Sequence, residues 1–297
     1  MQQISQKISI KDYQLPEQLS STAHTQVYKC KKDENYYAIK IILTKEAKKR
    51  AIKEINVLKK LKGKLFIIQY IEHFEYNDNI CFITEYFPSI TLLQYLVKQK
   101  QCRLQSQEAL FIFRNILDGL RTIHTNNLIH RNIKLDNILI NEIEKIPQIC
   151  GFGISKALNM NELTWSLFGS LSFTSVEILF DTPYNYKTDI WSLGVVLFAL
   201  TCGQLPFGSE MTKQNQLKNL KKVCTPLFLF KNVKNICENL NMLILVIRMN
   251  NGNFDVQVLG NSLNQINERQ CRFQIEEIFK NFLPKLNLKD IEQNKFL

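Results

Sequence analysis

The residue pattern changes once along the chain, near Phe87-Pro88, and this change limits the folds that the sequence can adopt. Upstream of it, β-branched and aromatic residues occur in short runs separated by polar turns, a pattern typical of β-strands. Downstream, apolar residues recur at helical spacing in longer segments. The strand runs are 26–30, 36–42, 67–74 and 80–86, and the helical segments are 91–98, 107–125, 188–201 and 274–282. We therefore predict an α+β protein of two subdomains, a small β-rich one and a larger, mainly helical one.

Basic residues are concentrated in one segment, residues 45–64. The chain has a formal net charge of +11, and this segment holds nine Lys or Arg against Glu46 and Glu54. Its apolar residues recur at three-residue spacing, which predicts an amphipathic helix with one apolar face. These residues are Ile52, Ile55, Leu58 and Leu61. Because no interleaved aromatic residues or recognition motif accompany the charge, we favour a solvated face over a nucleic-acid site, which stays as a distant alternative.

Length and composition indicate an ordinary globular chain. The 297 residues are 45% hydrophobic and 22% charged, which excludes collagen-like and largely disordered proteins. The apolar stretch from Ile190 to Cys202 is shorter than the roughly 20 residues that span a bilayer, and residues 1–10 lack the apolar core of a secretory signal. The eight cysteines form no C-x-x-C pair. We therefore expect no membrane span, no zinc site and no disulfide framework, as in an intracellular, cytoplasmic protein.

The most specific segment, Leu128 to Leu139, reads L-I-H-R-N-I-K-L-D-N-I-L. It resembles the catalytic loop of protein kinases, H-R-D-x-x-x-x-N, with Asn132 where the family has an aspartate. The position of Lys134, two residues after Asn132, resembles the serine/threonine branch of the family more than the tyrosine branch. Other segments resemble the remaining family motifs and occur in the family's order. They are Tyr37-Ala38-Ile39-Lys40 (the strand lysine), Glu54 (its helix partner), Gly151-Phe152-Gly153 (D-F-G), Ser175-Val176-Glu177 (A-P-E), residues 189–194 (the helix below the catalytic loop) and Arg272 with residues 275–277 (the last block).

This ordered series implies the two-lobed protein kinase fold, which is α+β in class. A small β-rich N-lobe with one main helix would precede a larger, mainly α-helical C-lobe. The implied parts are an N-terminal tail (1–12), the kinase-like domain (13–283) with its N-lobe (13–86), hinge (85–89) and C-lobe (90–283), and a C-terminal tail (284–297).

The resemblance also implies a nucleotide pocket with ATP as its ligand. The positions that would contact adenine are Val27, Ala38 and Leu139 on its faces, and Glu85 and Phe87 at the hinge beyond Thr84. Lys40 and Glu54 would form an ion pair in the cleft. Such a pair is costly to keep in a cleft without use, although a purely structural role stays open.

Two departures from the family pattern fall on the chemistry. Asn132 replaces the aspartate that accepts the proton of the substrate hydroxyl, and a neutral amide is a poor base. Gly151 replaces the aspartate that holds Mg²⁺ and offers no side chain. Asn137 keeps the second metal-ligand position, but an amide oxygen alone makes a weak Mg²⁺ site.

The third departure is a shortage of glycine in the loop that should cover the nucleotide phosphates. The whole chain has 10 Gly, about half of the average usage. The positions of the G-x-G-x-x-G motif are Ser20, Thr22 and Thr25. Glycine matters there because backbone N–H groups must approach the phosphates closely. Three hydroxyl residues crowd that approach, although they could still donate hydrogen bonds to the phosphates.

Two hypotheses for function follow. In the first, the chain is a pseudokinase with weak or no phosphoryl transfer that acts through nucleotide- or phosphorylation-dependent binding of protein partners, with its basic helix and activation segment as surfaces. In the second, it is an active serine/threonine kinase that transfers phosphate from ATP to protein hydroxyls. Lys40, Lys134 and Asn137 would then carry the remaining electrostatic stabilisation.

Three further segments leave alternatives open. Arg131 would collect a phosphate from the activation segment, residues 151–177. Cys150 is either a buried inert thiol, which we favour, or a modifiable one. The run 242–247, followed by a loop, is either a buried helix or an insertion. The candidate phosphate acceptors are Thr164, Ser166, Ser170, Ser172 and Thr174.

Overall fold

The computed structural model of the protein describes residues 9–158, 162–164, 170–179, 183–206, 208, 212–215, 245–250 and 253–258. Several predictions concern residues outside these ranges. They are residues 1–8 and 284–297 of the two tails, Ser166, the side chain of Glu177, most of 211–262, the helix at 274–282, and Arg272 with residues 275–277.

A six-stranded antiparallel sheet forms the first part of the fold. Its strands are β1 (Ser9–Ile10), β2 (Tyr13–Ser21), β3 (Thr25–Lys32), β4 (Asn35–Ile42), β5 (Tyr70–Tyr76) and β6 (Asn79–Glu85), in the order β1-β2-β3-β4-β6-β5. One face buries an apolar cluster that includes Tyr13, Ile39 and Ile83. The strands β3 to β6 were predicted, whereas β2 was not.

One helix, α1 (Lys45–Lys60), packs on the other face of this sheet. The hydroxyl of Thr44 caps it by accepting the Ala47 N–H at 3.4 Å, which satisfies one of the free donors of the first turn. Ile55 and Leu58 are buried as the spacing predicts, but Ile52 is 51% exposed. The prediction was wrong for Ile52 because its position faces solvent together with the lysines.

The larger, helical part follows the sheet. Its helices are α2 (Leu92–Val97), α3 (Ser106–Thr125), α4 (Val176–Leu179) and α5 (Lys187–Cys202). The central helices α3 and α5 share one apolar core with the underside of α1. The backbone of Ile149 joins the two parts, because its N–H donates to Phe66 O (2.8 Å) and its carbonyl accepts the Ile68 N–H (3.1 Å). The architecture is therefore the two-lobed α+β fold that the sequence predicted.

Short strands complete the described chain. They are β7 (Ile90–Thr91), β8 (Leu128–Ile129), β9 (Ile138–Ile140), β10 (Pro147–Ile149), β11 (Lys156–Ala157), β12 (Leu245–Asn250) and β13 (Asn253–Val258). The last two form an antiparallel hairpin. The buried-helix interpretation of residues 242–247 is therefore wrong, because residues 245–247 belong to a β-strand. Within the described residues, no helix is long and apolar enough to cross a membrane.

Candidate functional site

A buried aspartate organises the loop that follows β8. Asp189 on α5 is fully buried, and its carboxylate accepts the N–H groups of His130 and Arg131, both at 2.8 Å. His124 Nε2 lies 2.9 Å from the same carboxylate. Burial acts to raise the pKa of Asp189, but the hydrogen bond from His124, the electrostatic interaction with that ring and the bond from the His130 N–H outweigh it and lower that pKa below its ordinary value. The loop is thus fixed from below by one ionised carboxylate.

His130 connects this loop to the residue before Gly151. Its Nε2 lies 3.0 Å from Cys150 O, and its Nδ1 accepts the Asn132 N–H at 3.2 Å. Burial lowers the pKa of His130, so the ring is neutral and carries its proton on Nε2. The ring also packs against Phe152 with centroids 4.7 Å apart. Asn132 is therefore held at the cleft by its backbone.

The side-chain amide of Asn137 lies in the space next to Gly151 where another residue would have its Cβ. Asn137 Nδ2 donates to Asn132 O at 2.8 Å, and the backbone carbonyl of Asn137 accepts the Cys150 N–H at 2.9 Å. Gly151 has φ +81°, and a Cβ placed there would lie 2.8 Å from both Cγ and Oδ1 of Asn137. The amide thus occupies the space that a side chain at position 151 needs.

Lys40 and Glu54 form the ion pair that the sequence predicted. Lys40 Nζ on β4 lies 2.8 Å from Glu54 Oε2 on α1. The Glu54 side chain is 8% exposed and the Lys40 side chain 28%. The ammonium also lies 5.2 Å from the centroid of the Phe82 ring. This pair ties α1 to the sheet.

The tip of the β2–β3 hairpin closes on itself. The Thr22 N–H donates to Thr25 O at 2.8 Å, while Thr22 Oγ1 accepts the N–H groups of His24 (3.3 Å) and Thr25 (3.1 Å). The His24 carbonyl accepts the Leu43 N–H at 2.9 Å, and His24 Nδ1 lies 3.3 Å from Thr44 Oγ1. Three N–H groups of the tip are therefore used within the hairpin and do not point at a ligand.

The remaining predicted nucleotide contacts lie on the surrounding strands. Val27 on β3 pairs with Lys40 in the ladder, and Ala38 pairs with the buried Thr84. Leu139 is half-buried on β9. Glu85 is the exposed last residue of β6. Phe87 O accepts the Ser89 hydroxyl at 2.8 Å.

A cavity of about 290 Å³ lies between the hairpin tip, β4, α1 and residues 151–154. Of the predicted site residues, Lys40, Glu54, Asn132 and Gly151 line it. Lys134 instead lies 3.6 Å from Asp136. The other predicted contacts (Val27, Ala38, Glu85, Phe87, Asn137 and Leu139) are not among its lining residues.

Sequence reasoning missed three ionisable residues of the cavity wall, His24, Glu46 and Arg50. Arg50 lies one helical turn before Glu54, so the i, i+4 spacing on α1 would have placed it on the same side. No comparable signal pointed to His24, because its position follows from the closed hairpin.

Arg131 is engaged within the protein. Its Nε donates to Ile154 O at 2.6 Å, and Nη1 donates to the Tyr184 hydroxyl at 3.4 Å. The backbones of Tyr184 and Thr164 also exchange two N–H···O hydrogen bonds. The Thr164 hydroxyl accepts a hydrogen bond from Lys156 Nζ at 2.9 Å. Thr164 is buried, so its hydroxyl is an internal contact of this arrangement.

The Cys150 thiol lies next to the cleft but is protonated. Burial raises its pKa to about 12, and the nearby Glu54 adds to this. Because the thiolate is the reactive form, the shift supports the interpretation of an inert thiol. The five cysteines that the structure describes are all free.

Comparison with known proteins gives a consistent result. The family model "Protein kinase domain" matches residues 13–283. The SNF1-related protein kinase catalytic subunit alpha KIN12 of Arabidopsis thaliana is 34% identical over 178 residues, 58% of this chain and 35% of that protein. The serine/threonine-protein kinase nekl-2 of Caenorhabditis elegans is 31% identical over 63% of this chain and 55% of that protein. Human serine/threonine-protein kinase Nek5 is 34% identical over 60% of this chain and 25% of that protein. The chain thus spans between about a quarter and about half of these relatives.

Proposed function

The chain belongs to the protein kinase family, and from this premise we propose that it is a pseudokinase whose phosphoryl transfer is weak or absent. It would act through nucleotide- or phosphorylation-dependent binding of protein partners. The single observation that carries the proposal is the geometry at Gly151. Its missing side chain leaves the metal position without a carboxylate, and the amide of Asn137 fills the space.

Loss of the base adds to loss of the metal ligand. A positioned general base contributes about 10²- to 10⁴-fold to a proton-transfer step. The amide of Asn132 accepts a hydrogen bond but does not take up a proton at neutral pH. The closed hairpin also withholds the backbone donors of Thr22, His24 and Thr25 from a triphosphate. The base, the metal ligand and the backbone donors of the hairpin tip are thus each replaced or used elsewhere, whereas Lys40 is kept.

ATP and Mg²⁺ differ in how well they fit the residues present. Members of the family generally bind both. For ATP, the chain keeps the Lys40–Glu54 pair and apolar side chains on β3, β4 and β9. For Mg²⁺, the residues do not fit, because the cation favours carboxylate and water oxygens and Gly151 and Asn132 supply no carboxylate. We therefore propose ATP as a ligand that binds without Mg²⁺.

An active serine/threonine kinase is the second candidate, and three observations favour it. Lys40 and Glu54 are paired, Phe152 is buried, and Asp189 holds the catalytic loop by two backbone N–H groups. The lobes are thus arranged as transfer requires in this family. In this case Lys40, Lys134 and Asn137 would stabilise the transition state by their charge and hydrogen bonds.

Several finer assignments remain part of the proposal. We propose an N-lobe at residues 13–86, a hinge at 85–89 and a C-lobe at 90–283, with tails on either side. We also propose protein partners or substrates and no nucleic-acid ligand. The scattered cysteines, free where the structure describes them, support an intracellular, cytoplasmic setting.

A thermal-shift titration with ATP, beside a labelled-phosphate transfer assay, separates the two candidates. Stabilisation by ATP that does not need Mg²⁺, with no transfer, supports the pseudokinase. Mg²⁺-dependent transfer that disappears in Lys40→Ala supports the active kinase and overturns the proposal. A protein partner assay before and after treatment with an active kinase then tests the dependence on phosphorylation.

A further inference from the structure

The cavity between the hairpin tip and α1 has an unusual charge balance for a phosphate site of this family. Besides His24, its ionisable lining groups are the cations Lys40 and Arg50 and the carboxylates Glu46 and Glu54. The formal charges of these four residues cancel. Carboxylates at positions 132 and 151 would make the same wall doubly negative. The chain therefore lacks the acidic wall that repels a triphosphate unless a metal ion neutralises it.

Arg50 is the cation of this wall that has no partner among the described residues. Lys40 is already paired with Glu54. Glu46 lies one turn before Arg50 on α1 but makes no ion pair with it within the described part of the chain. An exposed arginine that lines a cavity and has unused donors is suited to bind an anion in a forked geometry.

Gly153 lies next to both Arg50 and the Lys40–Glu54 ion pair. A Cβ placed on Gly153 would lie 3.6 Å from Arg50 Cβ and 3.7 Å from Glu54 Oε2. Lys40 Nζ lies 2.8 Å from the same Glu54 oxygen. Lys40, Arg50 and Gly153 all line the cavity, and Gly153 adds no side chain between the start of the Arg50 side chain and Glu54. Arg50 belongs to none of the family motifs that the sequence carries.

We propose that Arg50 and Lys40 form a phosphate subsite that holds the terminal phosphates of a nucleoside triphosphate without a divalent cation. The subsite rests on the proposed function, since it takes over the charge neutralisation that the metal ligands no longer support. The closed hairpin strengthens the case, because the N–H groups of Thr22, His24 and Thr25 are used internally, which favours the cations of α1 and β4 as donors to the phosphates. Mg²⁺ would weaken this binding, since it competes with Arg50 for the phosphate charge.

The test is isothermal titration of the full chain with ATP in EDTA, using Arg50→Gln and the matched control Lys53→Gln. Lys53 is exposed on the same helix and does not line the cavity, so both variants lose one positive charge. Because Arg50→Gln removes the charge-assisted hydrogen bonds to the phosphates, we expect it to weaken ATP binding about tenfold or more, which corresponds to about 1.4 kcal/mol. We expect Lys53→Gln to change it less than about twofold. Adenosine binding and the melting temperature should be equal in all three proteins.

Four results overturn the inference. The first is that ATP does not bind in EDTA, and the second is that Arg50→Gln and Lys53→Gln weaken ATP binding equally. The third is that Mg²⁺ strengthens ATP binding, and the fourth is that tripolyphosphate binds as tightly as ATP. The last would indicate a general anion site and no nucleotide site. The proposed function can fail without the subsite. If the chain transfers phosphate and still binds ATP without metal in an Arg50-dependent way, the pseudokinase proposal is refuted and the subsite remains.

Discussion

A side chain added at Gly151 should destabilise the protein more than one added at another glycine of the same conformation. Gly151 has φ +81° and Gly63 has φ +77°. A Cβ on Gly63 would meet nothing within 4 Å, whereas a Cβ on Gly151 would lie 2.8 Å from the Asn137 amide. The pair Gly151→Ala and Gly63→Ala therefore separates backbone strain, which both variants carry, from the contact, which only one carries.

The expected magnitudes follow from these contacts. A non-glycine residue in the left-handed region costs about 1–2 kcal/mol. In Gly151→Ala the amide of Asn137 must also move and lose its bond to Asn132 O (2.8 Å), which adds about 1 kcal/mol. We expect Gly63→Ala to lower the free energy of unfolding by about 1–2 kcal/mol and Gly151→Ala by about 2–3 kcal/mol.

Equilibrium urea denaturation of the two variants measures this difference. A third protein, Gly151→Ala in an Asn137→Ala background, makes the test specific. There the added Cβ has space, so its cost should fall to that of Gly63→Ala. Equal destabilisation by Gly151→Ala and Gly63→Ala in the natural background would refute the reasoning, because it would mean that Asn137 moves away at no cost.

Three further predictions concern the ion pair, the buried histidine and the lost carboxylates. Lys40→Met should lower the free energy of unfolding by about 2 kcal/mol or more, because it leaves Glu54, the more buried partner, unpaired. Glu54→Gln should lower it by less. Urea denaturation measures both values, and the reverse order would contradict this prediction. Because burial lowers the pKa of His130, its contribution to stability is present above the unfolded pKa of about 6.5 and is lost as the pH falls towards the folded pKa. His130→Asn should therefore flatten the loss of stability between about pH 7 and pH 5 by up to about 1.4 kcal/mol per pH unit, and an unchanged slope would count against a buried neutral ring. Asn132→Asp combined with Gly151→Asp should raise labelled-phosphate transfer only modestly, because the hairpin N–H groups stay engaged, whereas a gain of about a thousandfold would show that the two carboxylates alone were limiting.

Much of the fold could be predicted because local sequence and tertiary structure agree there. The strands β3 and β4 are β-branched runs around a polar turn, and α1 has a regular apolar face. The strand β2 was missed because it contains Pro16 and few β-branched residues. Its ladder with β3 shifts register between Gln14 and Glu17, which is how a sheet accommodates a residue without an N–H.

The candidate site was predictable where one motif fixes one contact. The resemblance of Lys40 and Glu54 to the strand lysine of the family and its helix partner was enough to predict the ion pair, which the structure contains. The closed hairpin was not predictable, since hydroxyl residues at Thr22 and Thr25 are as compatible with donors that point outwards. The i, i+4 spacing places Arg50 on the side of Glu54, but only the packed structure shows that Arg50 lines the cavity beside Gly153.

The most direct test of the central claim is the rate of labelled-phosphate transfer from ATP to a protein substrate, measured with Mg²⁺ for the natural chain and for Lys40→Ala. If Asn132 and Gly151 have removed the base and the metal ligand, the two proteins should transfer phosphate at the same background rate. Transfer by the natural chain that is well above this background, needs Mg²⁺ and is lost in Lys40→Ala would contradict the account.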